Sequence, residues 1–287
     1  ATLHSFKPDQ GSVDRLDLAH WIVSKDNPVT ARVIANRVWQ AYFGRGLVET
    51  DNDFGSQGTS PSHPKLLDWL AVELVERGWS LKSLHRTIVL TRTYRRDSAS
   101  RPDLIEKDPD NRLLARQTRL RLDAELVRDS ALVASGLLNH KVGGPPVYPP
   151  IPDGVMSLGQ VKRAWNTSKG EDRTRRGLYT FTYRVTPPPA FAVFDAPDGL
   201  STCTRRNRSN TPLQALVLLN NPGFVEAAKS LAAKVSKVSS EPSAQIAAAF
   251  RHVCTREPRA TELAALNELY AVQKANPPIA SPTPPQI

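Results

Sequence analysis

Residues 27–78 read NPVTARVIANRVWQAYFGRGLVETDNDFGSQGTSPSHPKLLDWLAVELVERG, two helix patterns on either side of a loop rich in Gly and Asp. In the first pattern Ile34, Val38 and Ala41 recur at helical spacing, which predicts an amphipathic helix. Gly44 follows where a left-handed residue commonly ends a helix. The second pattern begins at the Ser-Pro-Ser-His-Pro run and ends at the last glycine of the stretch. We therefore expect two amphipathic, antiparallel helices around which the rest of the chain is organised.

The polar side of the first helix pattern carries a row of hydrogen-bonding groups. Arg32, Asn36 and Gln40 recur at a spacing of four, and Arg37 lies beside them. The loop that follows, residues 44–60, has many backbone groups that need partners. We therefore predict that Asn36 and Arg37 anchor this loop by side-chain hydrogen bonds.

Length, composition and net charge limit which kind of protein this chain can be and which kind of partner it favours. The chain has 287 residues, 40% of them hydrophobic, enough for one large domain or two smaller ones. Its apolar runs are too short to span a bilayer, and its N-terminus lacks the basic-then-apolar pattern of a signal peptide. The net charge of +10 and the pI near 9.8 favour anionic partners such as nucleic acid, acidic polysaccharide or a membrane surface. The arginines concentrate in four segments: 92–101, 112–128, 162–176 and 205–208.

The remaining patterns predict a mostly α protein: a multi-helix globular domain with Pro-rich irregular connections and at most a short strand pair. The longest helical pattern runs from Asp108 to Asn139, where Arg121, Glu125, Arg128 and Asp129 are spaced to form an ion-pair ladder of structural role. The alternation over residues 178–185 fits either a strand or a helix. Five parts are expected: an upstream linker at 1–11, an N-terminal helical half at 12–142, a Pro-rich and basic connecting region at 143–211, a C-terminal helical half at 212–275 and a disordered Pro-rich tail at 276–287.

The loop after the first helix offers oxygen ligands, and His63 follows it. Asp51 and Asp53 lie close together there, and Asp-rich loops can hold Ca²⁺. Counted from Asp51, however, the position that requires glycine is Ser56 and the position that requires glutamate is Ser62. We therefore predict no metal and take these side chains as turn formers or as candidate binding residues.

The two cysteines, Cys203 and Cys254, do not make a disulfide framework, and we predict that they are not bonded to each other. Cys203 precedes Arg205 and Arg206, a setting that can lower the pKa of a thiol, yet no histidine is near in sequence. A packing role is the plainer interpretation of Cys203. The three residues remain candidate binding residues.

Four phrases together resemble a known family. They are NPVTARVIANRVWQAYFGRGLVETDNDFGSQG, PSHPKLLDWLAVELVERGWSLKSLHRTIVLTRTYRR, NRLLARQTRLRLDAELVRDSALVASGLL and NTPLQALVLLNNPGFVEAA. In this order they resemble the planctomycete domain of unknown function, number fifteen-fifty-three, over about Leu16 to Tyr270. The resemblance implies a mostly helical module of a larger exported or periplasmic bacterial protein, with a cytochrome-c-type domain upstream. No haem is expected in this chain, because neither cysteine begins a Cys-x-x-Cys-His motif.

Three functions remain open. The first is a non-catalytic binding or scaffold module for an anionic polymer or for its own upstream domains. The second is an enzyme of unassigned chemistry, acting on polysaccharide, in which five side chains converge: Asn36, Arg37, Asp51, Asp53 and His63. The third is nucleic-acid binding, for which no recognisable motif is present.

One further prediction concerns where the basic segments at 162–176 and 205–208 lie in the folded chain. Unmatched like charges repel, so arginines that cluster on one face need a compensating acidic partner, internal or external. We expect these segments to converge on one face with such a partner.

Overall fold

The computed structural model describes residues 14–100, 102–157, 161–184 and 186–276, and these divide into two units. Unit 1 comprises the described residues of 14–121 together with 203–205, and unit 2 comprises those of 122–202 together with 206–276. Residues 122–142, which we expected in the N-terminal half, belong to unit 2. The expected linker at 1–11 and all but Asn276 of the expected tail lie outside the described residues.

Unit 1 is built on three packed helices. Its helices are α1 (Arg15–Val23), α2 (Thr30–Phe43), α3 (Pro64–Glu76), α4 (Leu81–Val89) and α5 (Pro102–Ile105). Helices α2, α3 and α4 contact one another. Their shared core consists of Ala35, Trp39, Phe43, Leu47, Val48, Leu67, Leu70, Leu74, Leu84 and Ile88.

The expected helix ends are confirmed. Gly44 caps α2 in the left-handed region with φ of 78°, where its amide donates to the Gln40 carbonyl. The second helix begins at Pro64 and ends at Glu76, just before Gly78. Glycine is favoured at such positions because a side chain strains the left-handed backbone.

The expected apolar face of α2 is wrong by part of a turn. The buried face centres on Ala35 and Trp39 and includes Asn36, whereas Ile34 and Val38 are only partly buried and Ala41 is exposed. The reason is that α3, α4 and the following loop cover α2 on more than one side, so its buried arc is wider than a single stripe.

Unit 2 contains six helices and three short 3₁₀ turns among its described residues. The helices are α6 (Ala124–Ser135), α7 (Pro189–Val193), α8 (Pro212–Asn220), α9 (Pro222–Val235), α10 (Pro242–Cys254) and α11 (Ala260–Ala275). The 3₁₀ turns are Val155–Ser157, Gly170–Thr174 and Gly177–Tyr179. Helix α6 lies at the centre, in contact with α7, α9 and α10, while α8 contacts α7 and α9.

The helix expected from Asp108 to Asn139 is wrong in its first half. Only Ala124–Ser135 is helical, because the carboxylate of Asp108 accepts from the amides of Arg112 and Leu113 and so competes with a helical ladder. Asn111 and Leu114 then adopt positive φ, which a continuous helix does not allow.

The mostly α class is confirmed. Within the described ranges, β pairing is limited to three isolated bridges, one of which joins Val147 and Thr180. The described part of the alternating stretch, residues 178–184, therefore contributes to a 3₁₀ turn and to single bridges and builds no sheet. None of the described helices combines the length and the apolar character needed to cross a bilayer.

Candidate functional site

The loop after α2 is held from inside the core by Asn36. This side chain has 0% exposure, donates through Nδ2 to the carbonyl of Val48 at 3.0 Å and accepts at Oδ1 from the Val48 amide at 2.9 Å. The next carbonyl back, that of Leu47, accepts from the Ser62 amide at 2.8 Å. The anchoring role predicted for Asn36 is confirmed.

The same prediction for Arg37 is wrong. Its side chain is exposed and forms no hydrogen bond or ion pair with any residue that the structure describes. Successive residues on a helix are rotated by about 100°. Arg37 therefore points away when Asn36 faces the loop.

Asp53 acts within a loop that closes on itself. The Thr50 hydroxyl donates to the Asp53 carbonyl at 2.8 Å and accepts from the Thr59 amide at 2.9 Å. The Asp53 carboxylate accepts from the Gly55 amide at 2.7 Å. These contacts are the local turn chemistry of short Asp and Thr side chains.

The five side chains expected to converge do not interact with one another. His63 is the N-cap residue of α3, and its Nδ1 lies 3.0 Å from the Ser62 hydroxyl. Asp51 has one buried carboxylate oxygen without a hydrogen-bond partner among the described residues. In the described part of the chain, no hydrogen bond or ion pair links any two of the five, and no group of three or more His, Cys, Asp or Glu residues is arranged to hold a metal ion.

Both cysteines are free and exposed, which confirms that Cys203 and Cys254 are not bonded to each other. The Cys203 thiol donates to the carbonyl of Arg205 at 3.4 Å, and the Arg205 side chain is exposed. Arg206 is instead half-buried and belongs to an ion-pair cluster in unit 2.

That arginine cluster joins two basic segments to acidic residues on or beside the helices of unit 2. The pairs are Arg173–Glu226, Arg176–Asp129, Arg206–Glu125 and Arg208–Asp123, with shortest N–O distances of 2.9, 3.4, 2.6 and 3.6 Å. The compensating partner of these arginines is therefore internal. The expected ladder along one helix is wrong, because α6 begins at Ala124, after Arg121, and its carboxylates contact arginines from distant positions.

The Arg206–Glu125 pair is the closest of the four and is bidentate, with a second contact of 3.2 Å. Burial alone would raise the pKa of Glu125, but the hydrogen bonds and the charge of Arg206 hold this pKa below its usual value. The pair leaves little charge for an outside partner, since both groups are satisfied by each other.

Arg175 is a structural member of the same basic segment. It has 0% exposure, donates to the carbonyls of Lys141, Gly143 and Pro145, and stacks over the Tyr179 ring at 4.0 Å. A planar guanidinium with several donors suits this bonding of three carbonyls. Arg175 fastens the extended segment after α6.

Unit 1 carries a group of cationic side chains without ion-pair partners among the described residues. We call the following seven side chains the basic surface: Lys82, Arg86, Arg92, Arg95, Arg96, Arg116 and Arg119. None of them forms an ion pair with a described residue, and all except the half-buried Arg116 are exposed. Between Gly78 and Pro102 the sequence has a single acidic residue, Asp97.

Hydrogen bonds hold the two segments of the basic surface side by side. The backbone amide of Gln117 donates to the backbone carbonyl of Asp97 at 3.0 Å, and Arg119 Nε donates to the Ser98 hydroxyl at 3.1 Å. Arg96 Nη1 donates to the Leu114 carbonyl at 3.2 Å. The cationic residues of 92–96 and 116–119 are therefore neighbours in space.

A cleft of about 220 Å³ elsewhere in unit 1 has a rim of balanced charge. Arg45 lies 3.1 Å from Glu49 and 3.8 Å from Asp110, and Arg112 lies 3.3 Å from Glu49. None of the candidate residues from the sequence lines this cleft. Because the charged side chains of this cleft pair with each other, they attract an anion less strongly than the unpaired cations of the basic surface do.

The sequence held a usable signal for part of the basic surface. Lys82 and Arg86 are four residues apart on α4, which places them on one helix face. That α4 has no acidic residue could also be read directly. The pairing of the arginine cluster could not be read from the sequence, because its partners are separated by up to 85 residues, as in the Arg208–Asp123 pair.

The comparisons with known proteins identify a family and no closer relative. No curated protein and no solved structure matches the chain. The family model described as "PSD1: Protein of unknown function (DUF1553)" matches residues 14–270, nearly the whole of both units. The chain belongs to the DUF1553 family.

Proposed function

We propose that this chain is a non-catalytic binding domain of a longer exported bacterial protein and that it holds an anionic partner on the basic surface of unit 1. The observation that carries the proposal is the contrast between two sets of arginines. Five of the six arginines of unit 2 at 173–208 are paired or buried, the exception being the exposed Arg184, whereas the seven cations of the basic surface have no ion-pair partner among the described residues. Export rests on the family resemblance alone.

The chemistry of the basic surface suits a polyanion better than a small ligand. Exposed, unpaired cations create a positive potential that attracts anionic chains and releases their counterions on binding. Surface arginines and lysines that are spread over two segments and are not gathered in a cleft make many weak contacts. We therefore expect an extended partner with regularly spaced negative charge.

The test compares two variants with the same change in net charge. The first replaces Lys82, Arg86, Arg92 and Arg95 by Gln, and the matched control replaces four exposed lysines outside the basic surface: Lys65, Lys169, Lys237 and Lys274. Binding to fluorescent heparin oligosaccharides is measured by anisotropy at several salt concentrations, with neutral dextran as the reference ligand.

We expect the first variant to bind heparin at least about tenfold more weakly than the control, with a shallower dependence on salt. Equal affinity of the two variants would remove the basic surface as the binding site. Binding that does not depend on salt, or equal binding of neutral dextran, would remove the anionic partner.

A further inference from the structure

A small cavity in unit 2 lies where α6, α7 and the start of α9 meet. Its volume is about 30 Å³, and its lining is mostly apolar. Phe191, Phe194 and Phe224 supply aromatic walls, while Arg128 and Thr180 are among the few polar residues that line it. A cavity of this size holds about two water molecules or one group of three heavy atoms.

Arg128 brings an unusual charge to this cavity. Arg128 is only 9% exposed, and its Nη2 donates to the Arg173 carbonyl at 2.9 Å. Nε is buried, and Arg128 has neither a hydrogen-bond partner at Nε nor an ion pair among the described residues. Burying a charge without a close counter-ion is costly in free energy, which makes Arg128 a candidate for binding an anion.

Burial lowers the pKa of Arg128 to about 10, against the opposing effect of the Asp129 and Glu226 carboxylates. The guanidinium therefore stays charged at neutral pH. The carboxylates of Asp129 and Glu226 are themselves in ion pairs, with Arg176 and Arg173.

Two further features favour an anion here. The hydroxyl of Thr180 is buried and also lacks a hydrogen-bond partner among the described residues. The first residues of the 14-residue helix α9, including Gly223, line the same cavity. Their amides donate to Asn221, so this helix end contributes only its partial positive charge.

We propose that this cavity binds the carboxylate group of a small organic acid, with Arg128 Nε and the Thr180 hydroxyl as hydrogen-bond donors. A carboxylate has three heavy atoms, which matches the volume, and it supplies the charge that Arg128 lacks. The small volume leaves room for little more than a methyl group beside the apolar walls, which makes acetate the ligand to test. The site is independent of the basic surface, since it shares no residue with it.

The test uses the whole 287-residue chain, labelled with ¹⁵N-arginine and titrated with sodium acetate at constant ionic strength. Neutral acetamide, which has nearly the same shape, is the control ligand. We expect the Arg128 Nε–H resonance to move along a saturable curve with acetate and to stay in place with acetamide. A linear shift without saturation, or an equal response to acetamide, would overturn the proposal.

Two variants separate the site from a general effect on unit 2. Thr180→Val keeps the shape of the side chain and removes the hydroxyl, so we expect acetate affinity to fall by about tenfold. Thr182→Val makes the same change at an exposed position outside the cavity and should leave the affinity unchanged. Equal affinity of both variants, each with a well-dispersed spectrum, would contradict the role of Thr180 and with it the proposal.

Discussion

Asn36 ties the backbone of Val48 to the core of unit 1 with a pair of reciprocal hydrogen bonds. The residue types around it were sufficient to predict a loop anchor, because a helix that precedes a loop rich in backbone donors needs polar groups on the near face. They were not sufficient to orient the helix. The helix α2 is partly or fully buried on several sides, which carry apolar Ile34 and Val38 as well as polar Asn36 and Gln40. A prediction that assumes one apolar stripe therefore cannot tell which of these residues face the core.

We predict that Asn36→Ala destabilises unit 1 by about 3 kcal/mol, because both the amide and the carbonyl of Val48 would remain buried without a partner. The Val48 amide should also lose most of its protection from hydrogen exchange. The neighbouring Arg37→Ala changes an exposed side chain and should alter stability by less than about 0.5 kcal/mol. Similar effects of the two substitutions on exchange at Val48 would contradict the anchoring role.

Helix α6 organises unit 2 through both its apolar and its charged side chains. It contacts α7, α9 and α10. Its carboxylates Asp129 and Glu125 form ion pairs with Arg176 and Arg206. Gly177 shows how closely that segment approaches: a Cβ at this position would lie 2.8 Å from the Glu125 Cα. The charge pattern of α6 was visible in the sequence, but the identity of its partners depends on long-range chain topology that no local pattern encodes.

At neutral pH, Glu125→Gln should lower the free energy of unfolding of unit 2 by about 2 kcal/mol. The pKa of Glu125 is lower in the folded state, so the stabilisation is present above the unfolded-state value of 4.5 and is lost as pH falls through the folded-state pKa. The difference between wild type and Glu125→Gln should therefore shrink on acidification, as measured by urea unfolding between about pH 7 and pH 3.

Glu257→Gln provides the control for that experiment, since it removes a more exposed pair with Arg251. Such a pair adds little to stability. Its effect should be small at every pH. A difference for Glu125→Gln that stays constant across this pH range would contradict the stabilising pair with Arg206.

For the whole molecule, the sequence supported the mostly α class and most helix positions, because Pro, Gly and capping residues mark α2, α3, α8 and α9 clearly. It did not reveal which basic segments are compensated. The runs at 162–176, 205–208 and 92–96 are all rich in arginine. The structure nevertheless pairs four arginines of the first two runs with acidic residues and leaves those of 92–96 unpaired among the described residues. Net charge alone therefore cannot locate a binding surface.

The most direct measurement of the central claim is a hydrogen-exchange footprint of the full chain with and without saturating heparin. We predict that heparin slows exchange in peptides that cover residues 82–98 and 112–121, where the basic surface lies, and leaves peptides 170–180 unchanged. Protection confined to 162–176 and 205–208, or no protection in either region under conditions where heparin binds, would contradict the claim that unit 1 holds the anionic partner.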